Sequence, residues 1–484
     1  MKLFYPSYQK STVLNVLLIV LLSAVAIGIS YSLVQFGNKV GIVILALLAG
    51  LSLVIGAILN PVFGFYASIV LGFTITVGER IFYGVLTLDF MIEIMVYATF
   101  IGVLIRNRTR HESLWKKAAH PITYAYIAFF IFTILEVLNP HGTSLAGNLF
   151  HIRRTIQFLL LYFIAIDVFY SYKRINYYFY FWIVIAALCG AYGCYQQWVG
   201  FTPFEERWLF ADEARMALYK LDNGTYRKFS SLTDPAAYGI VMACSVMLTL
   251  VLFLKMPLKQ NRLKMCLALV FLLLGMSYSG TRTAVFALVV GTALYILMTI
   301  NNIRTLVFAV FCSLALGFLL LAPIYGNVTV NRLRSAFKFS TNSSYQVRNI
   351  NRARIQPYIL ANPIGGGVLT SGVNGLKYNP NHYLAGFPPD SGYLRYALET
   401  GWIGLIFVCL LYFIILQQGV HAYYTIRRPV ARAYLIAAVV TLFAYVLCQY
   451  SQVTGQSPQF LLFYPLIAII IRISKLEKKV ERTL

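Results

Sequence analysis

Arg348 and Arg352 stand four residues apart, with Arg332, Arg334, Lys338, Arg354 and Lys377 around them and no acidic residue between Pro323 and Asp390. The stretch from Tyr345 to Leu360 has helical periodicity, with Pro357 as its strong breaker. An i,i+4 spacing on a helix sets both guanidinium groups on one face. Arginine forks match phosphate oxygens bidentately, which lysine cannot do, so the chemistry that suits this pattern is the holding of a phosphate or diphosphate. An interfacial amphipathic helix resting on lipid headgroups uses the same residues.

Six further features could share that chemistry. Arg227 and Lys228 precede a polar run ending at Asp234-Pro235, where Ser, Thr and Asp stand ready as helix caps. Cations at such a helix mouth can hold a phosphate together with the open N–H groups. Ser279-Gly280-Thr281-Arg282-Thr283 puts one arginine at a helix end in an apolar region, where it either snorkels to headgroups or serves a site roomy enough for a ligand. Asp390 opens the run Asp390-Ser391-Gly392-Tyr393-Leu394-Arg395, and is either the N-cap of the next helix or a general base beside the arginines. Glu399, about two and a half turns deeper, is either paired with Arg395 at i−4 or functional. His382, eight residues before Asp390, offers an imidazole, and Asn362-Pro363-Ile364-Gly365-Gly366-Gly367 is a flexible turn through which backbone can approach a ligand.

The elements that position these residues are set by composition. With 59% hydrophobic and 12% charged residues and a mean hydropathy of +0.72, the 484-residue chain cannot be a soluble domain. It reads as an all-α polytopic membrane protein, one domain over 1–484, because apolar stretches of helix-spanning length recur along it. About fourteen are expected, at 12–34, 41–59, 61–78, 86–105, 121–138, 155–170, 177–198, 235–254, 263–277, 281–300, 304–322, 391–416, 431–449 and 457–473. The first is an uncleaved signal anchor by its length and flanking lysines.

With both termini inside, the clusters at Arg106 to Lys117, Lys173-Arg174, Lys255 to Lys264 and Arg427-Arg428 all fall on the cytoplasmic side, as the positive-inside bias requires. Two long loops, 199–234 and 323–389, then face outward. The second is basic against that bias, so something anionic is expected there. All seven cysteines lie in expected spans without CxxC spacing, which indicates neither disulfides nor zinc, and no metal-binding cluster or cofactor motif is visible. The net charge of +24 suits anionic membrane lipids and calls for no nucleic acid.

Between about 225 and 410 the chain resembles the bacterial O-antigen ligase and O-antigen polymerase superfamily. The likeness rests on Arg227 with its polar re-entry segment to Tyr238, on Ser279 to Arg282, on arginines preceding Asn362-Pro363-Ile364-Gly365, and on Asp390, Ser391, Gly401 and Gly404. The ligases of this superfamily carry a histidine where Asp390 stands, and members with an aspartate look more like repeat-unit polymerases. The resemblance implies a helical fold of the glycosyltransferase C type in the bacterial inner membrane, with a periplasmic site and a polyprenyl-diphosphate-linked oligosaccharide as donor. It implies catalytic roles for Asp390, Arg282 and Arg348 and diphosphate binding by Arg227, Arg282, Arg348 and Arg352, with His382, Glu399 and Arg395 as further candidates. The expected enzyme is a metal-independent, inverting polymerase of exopolysaccharide or O-antigen repeat units, a possible partner of a chain-length regulator. A ligase that transfers finished glycan to a lipid A core or protein is the alternative within the superfamily. A flippase or anion transporter is the alternative from another class, with Asp89, Glu93 and Asp167 as its intramembrane acids.

Overall fold

The computed structural model describes residues 38–481 apart from 83–87, 143, 222–223, 257–260, 324–325, 338–342, 454 and 456–457, together with scattered residues between 16 and 31. Lys338 and most of the first expected span lie outside the described residues. Among the described residues, every expected span from residue 41 onward overlaps a helix. Ten helices among the described residues are long and apolar enough to cross a membrane, and Leu47–Leu59 and Arg282–Met298 are shorter apolar helices. Among the described residues no strand forms; two isolated bridges, Lys220 to Tyr226 and Gly372 to Ala385, are the only β-type pairings.

Local chemistry sets the boundaries. The helices α1 (Asn38–Leu59) and α2 (Pro61–Ile81) are separated by one residue, Asn60, whose side chain accepts from Val62 N at 3.2 Å and Phe63 N at 3.3 Å while Pro61 opens the next helix. That combination of an Asn cap with proline at N1 ends one span and starts another without a linker. Then follow α3 (Phe90–Thr109), the short α4 (Leu114–Ala118), α5 (Pro121–Leu135), α6 (Leu145–Val168) and α7 (Tyr172–Trp198). The first outer loop holds α8 (Pro203–Phe210) and α9 (Glu213–Tyr219).

Asp234 caps α10 (Pro235–Lys255), accepting from Ala236 N at 2.7 Å and Ala237 N at 2.8 Å. After α11 (Arg262–Tyr278), α12 (Arg282–Met298) and α13 (Ile303–Leu321), the second outer loop carries α14 (Val328–Ser335), α15 (Ser343–Ala361) and α16 (Gly372–Tyr378). The chain ends in α17 (Gly392–Glu399), α18 (Gly401–Thr425), α19 (Pro429–Cys448) and α20 (Gln459–Glu481).

Helices α10 and α19 form the centre and are almost wholly buried, packed on one another and surrounded by α7, α11, α12 and α20. The fully buried Trp182 of α7 donates to Ser245 Oγ of α10 at 2.9 Å, which fixes one flank. On the periphery α13 exposes Phe311, Leu314, Phe318 and Leu321, an apolar surface matched to lipid.

Two expectations are corrected. Span 391–416 is not one helix: Thr400 and Gly401 break it into α17 and α18, with Gly401 at φ +69°. Pro357 does not end the helix of the second loop but lies inside α15, which continues to Ala361.

Candidate active site

The turn joining α11 to α12 gathers three arginines from three parts of the chain. Gly280, at φ +61°, lets the turn close between Ser279 and Thr281. Arg227 of the first outer loop donates from Nε to Ser279 O at 2.9 Å and from Nη2 to Thr281 Oγ1 at 2.9 Å. Arg332 of α14 donates from Nε to Gly280 O at 3.2 Å, and Arg282 is the first residue of α12. Burial and repulsion from Arg332 push the Arg227 guanidinium down to about 10, and Arg282 adds to that repulsion. Asp234 opposes it, but its Oδ1 is already engaged in capping α10. Thr281 Oγ1 donates to Pro235 O at 2.8 Å and so ties the capped helix start to the turn.

A second group lies on α15. Arg348 and Arg352 share a helix face as their spacing requires, yet they meet different partners. Arg352 donates from Nη1 to the Tyr450 hydroxyl at 2.8 Å and from Nη2 to Tyr450 O at 2.9 Å, with its guanidinium 4.5 Å from the centre of that ring. Arg348 is half-buried within the field of Asp390: burial lowers its pKa, and the aspartate's charge opposes that change. Asp390 Oδ2 accepts from Asn351 Nδ2 at 3.3 Å. Of the two readings of Asp390, the capping one does not hold. Ser391 has the extended backbone of an N-cap, φ −147° and ψ 154°, and its Oγ accepts from Leu394 N at 2.9 Å. The carboxylate one residue earlier therefore does not serve the helix. Arg354 and Lys377 are exposed.

The turn between α19 and α20 joins the two groups. Gly392 N, two residues past Asp390, donates to Gln449 O at 2.8 Å and Gln452 O at 3.1 Å. A Cβ at Gly392 would sit 1.9 Å from Gln449 Oε1, so any other residue there would require the Gln449 side chain to move. Tyr450 holds Arg352, and Ser451 is hydrogen-bonded to Thr283, the neighbour of Arg282. Residues 449–452 were not singled out in the sequence. Their one signal there is a polar run, Gln449-Tyr450-Ser451-Gln452, set between two apolar spans.

Helix α17 divides the region into two sides. Leu394 and Leu398 pack with Ile355 and Leu384 under α15. On the opposite face Gly392, Arg395, Tyr396 and Glu399 line a cavity of about 430 Å³, closed by α6 and by aromatic side chains including Tyr126, Phe158 and Tyr412. Glu399 is buried and accepts from Arg395 Nε at 3.2 Å, the expected i−4 pair, and from Ser371 Oγ at 2.5 Å. His151 and Arg154 of α6 also line the cavity, and Arg154 Nη2 donates to Gly455 O at 3.0 Å. The sequence signal for these two was a pair of adjacent arginines, Arg153 and Arg154, at the outer end of a span.

The glycine run after Pro363 is not open to a ligand. Gly365, Gly366 and Gly367 are buried, with Gly366 N donating to Leu398 O at 2.8 Å and Gly367 N to Glu399 O at 2.9 Å. A Cβ at Gly401 would lie 1.9 Å from Pro363 O. The Asn362–Gly367 segment is thus a clasp on the junction of α17 with α18. His382 lies beside it, where a Cβ on Gly366 would meet its Cε1 at 2.6 Å, at the opposite end of α17 from Asp390. Its Nδ1 accepts from Leu384 N at 3.1 Å, and burial with His141 nearby lowers its pKa.

The acids that a transporter would use are dispersed. Asp89 and Glu93 begin α3, with Glu93 2.8 Å from Arg153, whereas Asp167 ends α6 at the other end of the bundle and is paired with Arg106 and Lys117. Among the described residues no three His, Cys, Asp or Glu side chains converge as metal ligands would.

Residues 267–409 match the O-antigen ligase family. That segment contains Arg282, Arg332, Arg348, Arg352, Asp390 and the Gly401 junction, and excludes Arg227, Arg154 and the turn at 449–452. No curated protein sequence matches the chain.

Proposed function

From its O-antigen ligase domain at 267–409, which sets the chain in the superfamily of O-antigen ligases and polymerases, we propose that it polymerises lipid-linked glycan repeat units. The observation that carries this reading is the convergence of Arg227, Arg282 and Arg332 on one turn, joined through residues 449–452 to Arg352, Arg348 and Asp390. Like charges so crowded repel one another, and a dianionic group among them relieves the repulsion. A polyprenyl diphosphate has that charge.

In the proposed reaction the acceptor hydroxyl oxygen attacks the anomeric carbon of the donor glycan, whose bond to the diphosphate oxygen breaks with the electron pair leaving on the diphosphate. Asp390 takes or orients the hydroxyl proton, and the arginines stabilise the departing charge. Attack opposite the leaving group inverts the anomeric centre, and guanidinium groups in this role need no metal ion. The cavity beneath α17, with aromatic walls and the Arg395–Glu399 pair, suits the sugar of the acceptor: rings stack on apolar sugar faces and planar charged groups bind hydroxyls. The aspartate at 390, where the ligases carry histidine, favours polymerase over ligase. The distribution of Lys and Arg supports a site on the outer side of the bacterial inner membrane with both termini inside.

The test is purified protein supplied with lipid-linked single repeat units in the presence of a chelator. Polymers of many units that disappear in Asp390→Asn, with single units left unused, support the reading. Transfer to a lipid A core without chain growth converts it to a ligase.

A further inference from the structure

At the end of the bundle opposite the arginine groups, a cavity of about 440 Å³ opens between the loop 111–117 and α20, lined by His111, Lys116, Lys117, Arg472 and Lys475 with Glu112 as its one acid. Glu112 is held by Lys117 at 2.5 Å, so Lys116, Arg472 and Lys475 remain as a concentration of positive charge. Basic residues at cytoplasmic helix ends are ordinary. Arg472 is not: it is 9% exposed and donates only from Nε, to Phe169 O at 3.1 Å. Among the described residues its two Nη groups have no hydrogen-bond partner and no carboxylate lies within salt-bridge distance of it. Asp167, a buried acid at the same end of the bundle, is held by Arg106 and Lys117.

Two guanidinium donor groups without a protein partner, on the wall of an open cavity, are placed to take an acceptor that enters from outside. Depth identifies the acceptor. Arg472 is thirteen residues along α20 from Gln459 and Lys475 sixteen, about 20 to 24 Å at 1.5 Å per residue, which leaves them short of the far side of a hydrocarbon layer roughly 30 Å thick but with long side chains that reach its headgroup boundary. Basic pockets between helices at that level accept lipid phosphates. We propose that this cavity binds the phosphodiester headgroup of an anionic phospholipid, with Arg472 as the bidentate ligand and Lys116 and Lys475 completing the site. The proposal is independent of what happens at the opposite end.

The full-length protein in neutral detergent is titrated with a short-chain phosphatidylglycerol, a short-chain phosphatidylcholine, and inorganic phosphate, with the thermal unfolding midpoint as readout. Phosphatidylglycerol should raise the midpoint by about 2 °C or more, and the other two should not. Arg472→Gln removes a buried hydrogen bond and lowers the midpoint by itself, so the double variant Lys116→Gln with Lys475→Gln carries the test, and it should lose most of the rise. An equal rise with phosphatidylcholine or with inorganic phosphate, or an undiminished rise in the double variant, overturns the assignment.

Discussion

Under the first outer loop, 199–234, Arg80 is a strut; in the second, 323–389, Arg348 lies beside an acid that no cap consumes. Arg80 of α2 reaches into the first loop, 1% exposed, and donates to Ser230 O and Leu232 O while lying over the rings of Phe229 and Trp208. Glu205, 3.9 Å away and 0% exposed, accepts from Tyr192, Gln196 and the backbone N–H of Thr202. Every part of that pair is consumed in holding the loop down. Arg348 has instead a half-buried position and the field of a carboxylate that is not needed as a cap. Charge alone does not mark a site; what matters is whether the surrounding atoms have exhausted it.

The sharpest way to break this comparison is to exchange its consequences. Arg348→Ala and Arg282→Ala should each reduce glycan transfer by about 10²-fold or more, as loss of a charge-stabilising donor does, with the thermal midpoint close to that of the unaltered protein. Lysine at either position should rescue only in part, because the bidentate geometry is lost. Full-length polymer made by an alanine variant removes that residue from the site.

Arg80→Ala should act on the other quantity. Removing one partner of a buried pair leaves Glu205 uncompensated and costs about 3 to 5 kcal/mol, so the yield of folded protein and its thermal midpoint should fall sharply. A well-folded Arg80→Ala protein with impaired transfer would mean that Arg80 serves the site, as Arg227 does, and is more than a strut.

Asp390 and Ser391 repeat the contrast between neighbouring residues. Ser391→Ala removes a cap, an effect of about 1 kcal/mol on stability. Asp390→Asn keeps the hydrogen bond to Asn351 within reach, leaves stability unchanged, and removes the charge opposite Arg348. Thermal midpoints and transfer rates measured on both variants should separate cleanly; matched losses of midpoint would make Asp390 structural after all.

The spans were legible in the sequence because apolar length is a property of consecutive residues, and so was the shared face of Arg348 and Arg352, a matter of four-residue spacing. The break at Gly401 was not, since a helix with an apolar pattern on both sides of a glycine reads as continuous until the Pro363 carbonyl arrives to occupy the place of a Cβ. The turn at 449–452 and Arg154 escaped for a related reason: the turn's partners are Gly392, Arg352 and Thr283 and that of Arg154 is Gly455, all of them far away in the chain. Arg80 and Glu205 were missed because a buried ion pair in a membrane protein leaves the same trace in sequence as a solvated one.

The smallest effect should come from His382, the ionisable group of the second loop that most resembles the first. Its Nδ1 accepts from Leu384 N at 3.1 Å, and burial with His141 beside it lowers its pKa below the ordinary 6.5. The imidazole is neutral at pH 7 in the folded protein. As pH falls below about 6.5 the unfolded chain takes up a proton there that the folded chain does not, so this residue contributes stability above that pH that is lost progressively as pH drops toward the folded value. His382→Asn supplies another acceptor to Leu384 N and removes the titration. The variant should transfer glycan at nearly the unaltered rate, and its thermal midpoint should fall less steeply between pH 6.5 and 5 than that of the parent. A large loss of transfer, with an unchanged pH slope, would instead make His382 a participant in the reaction and Asp390 its helper.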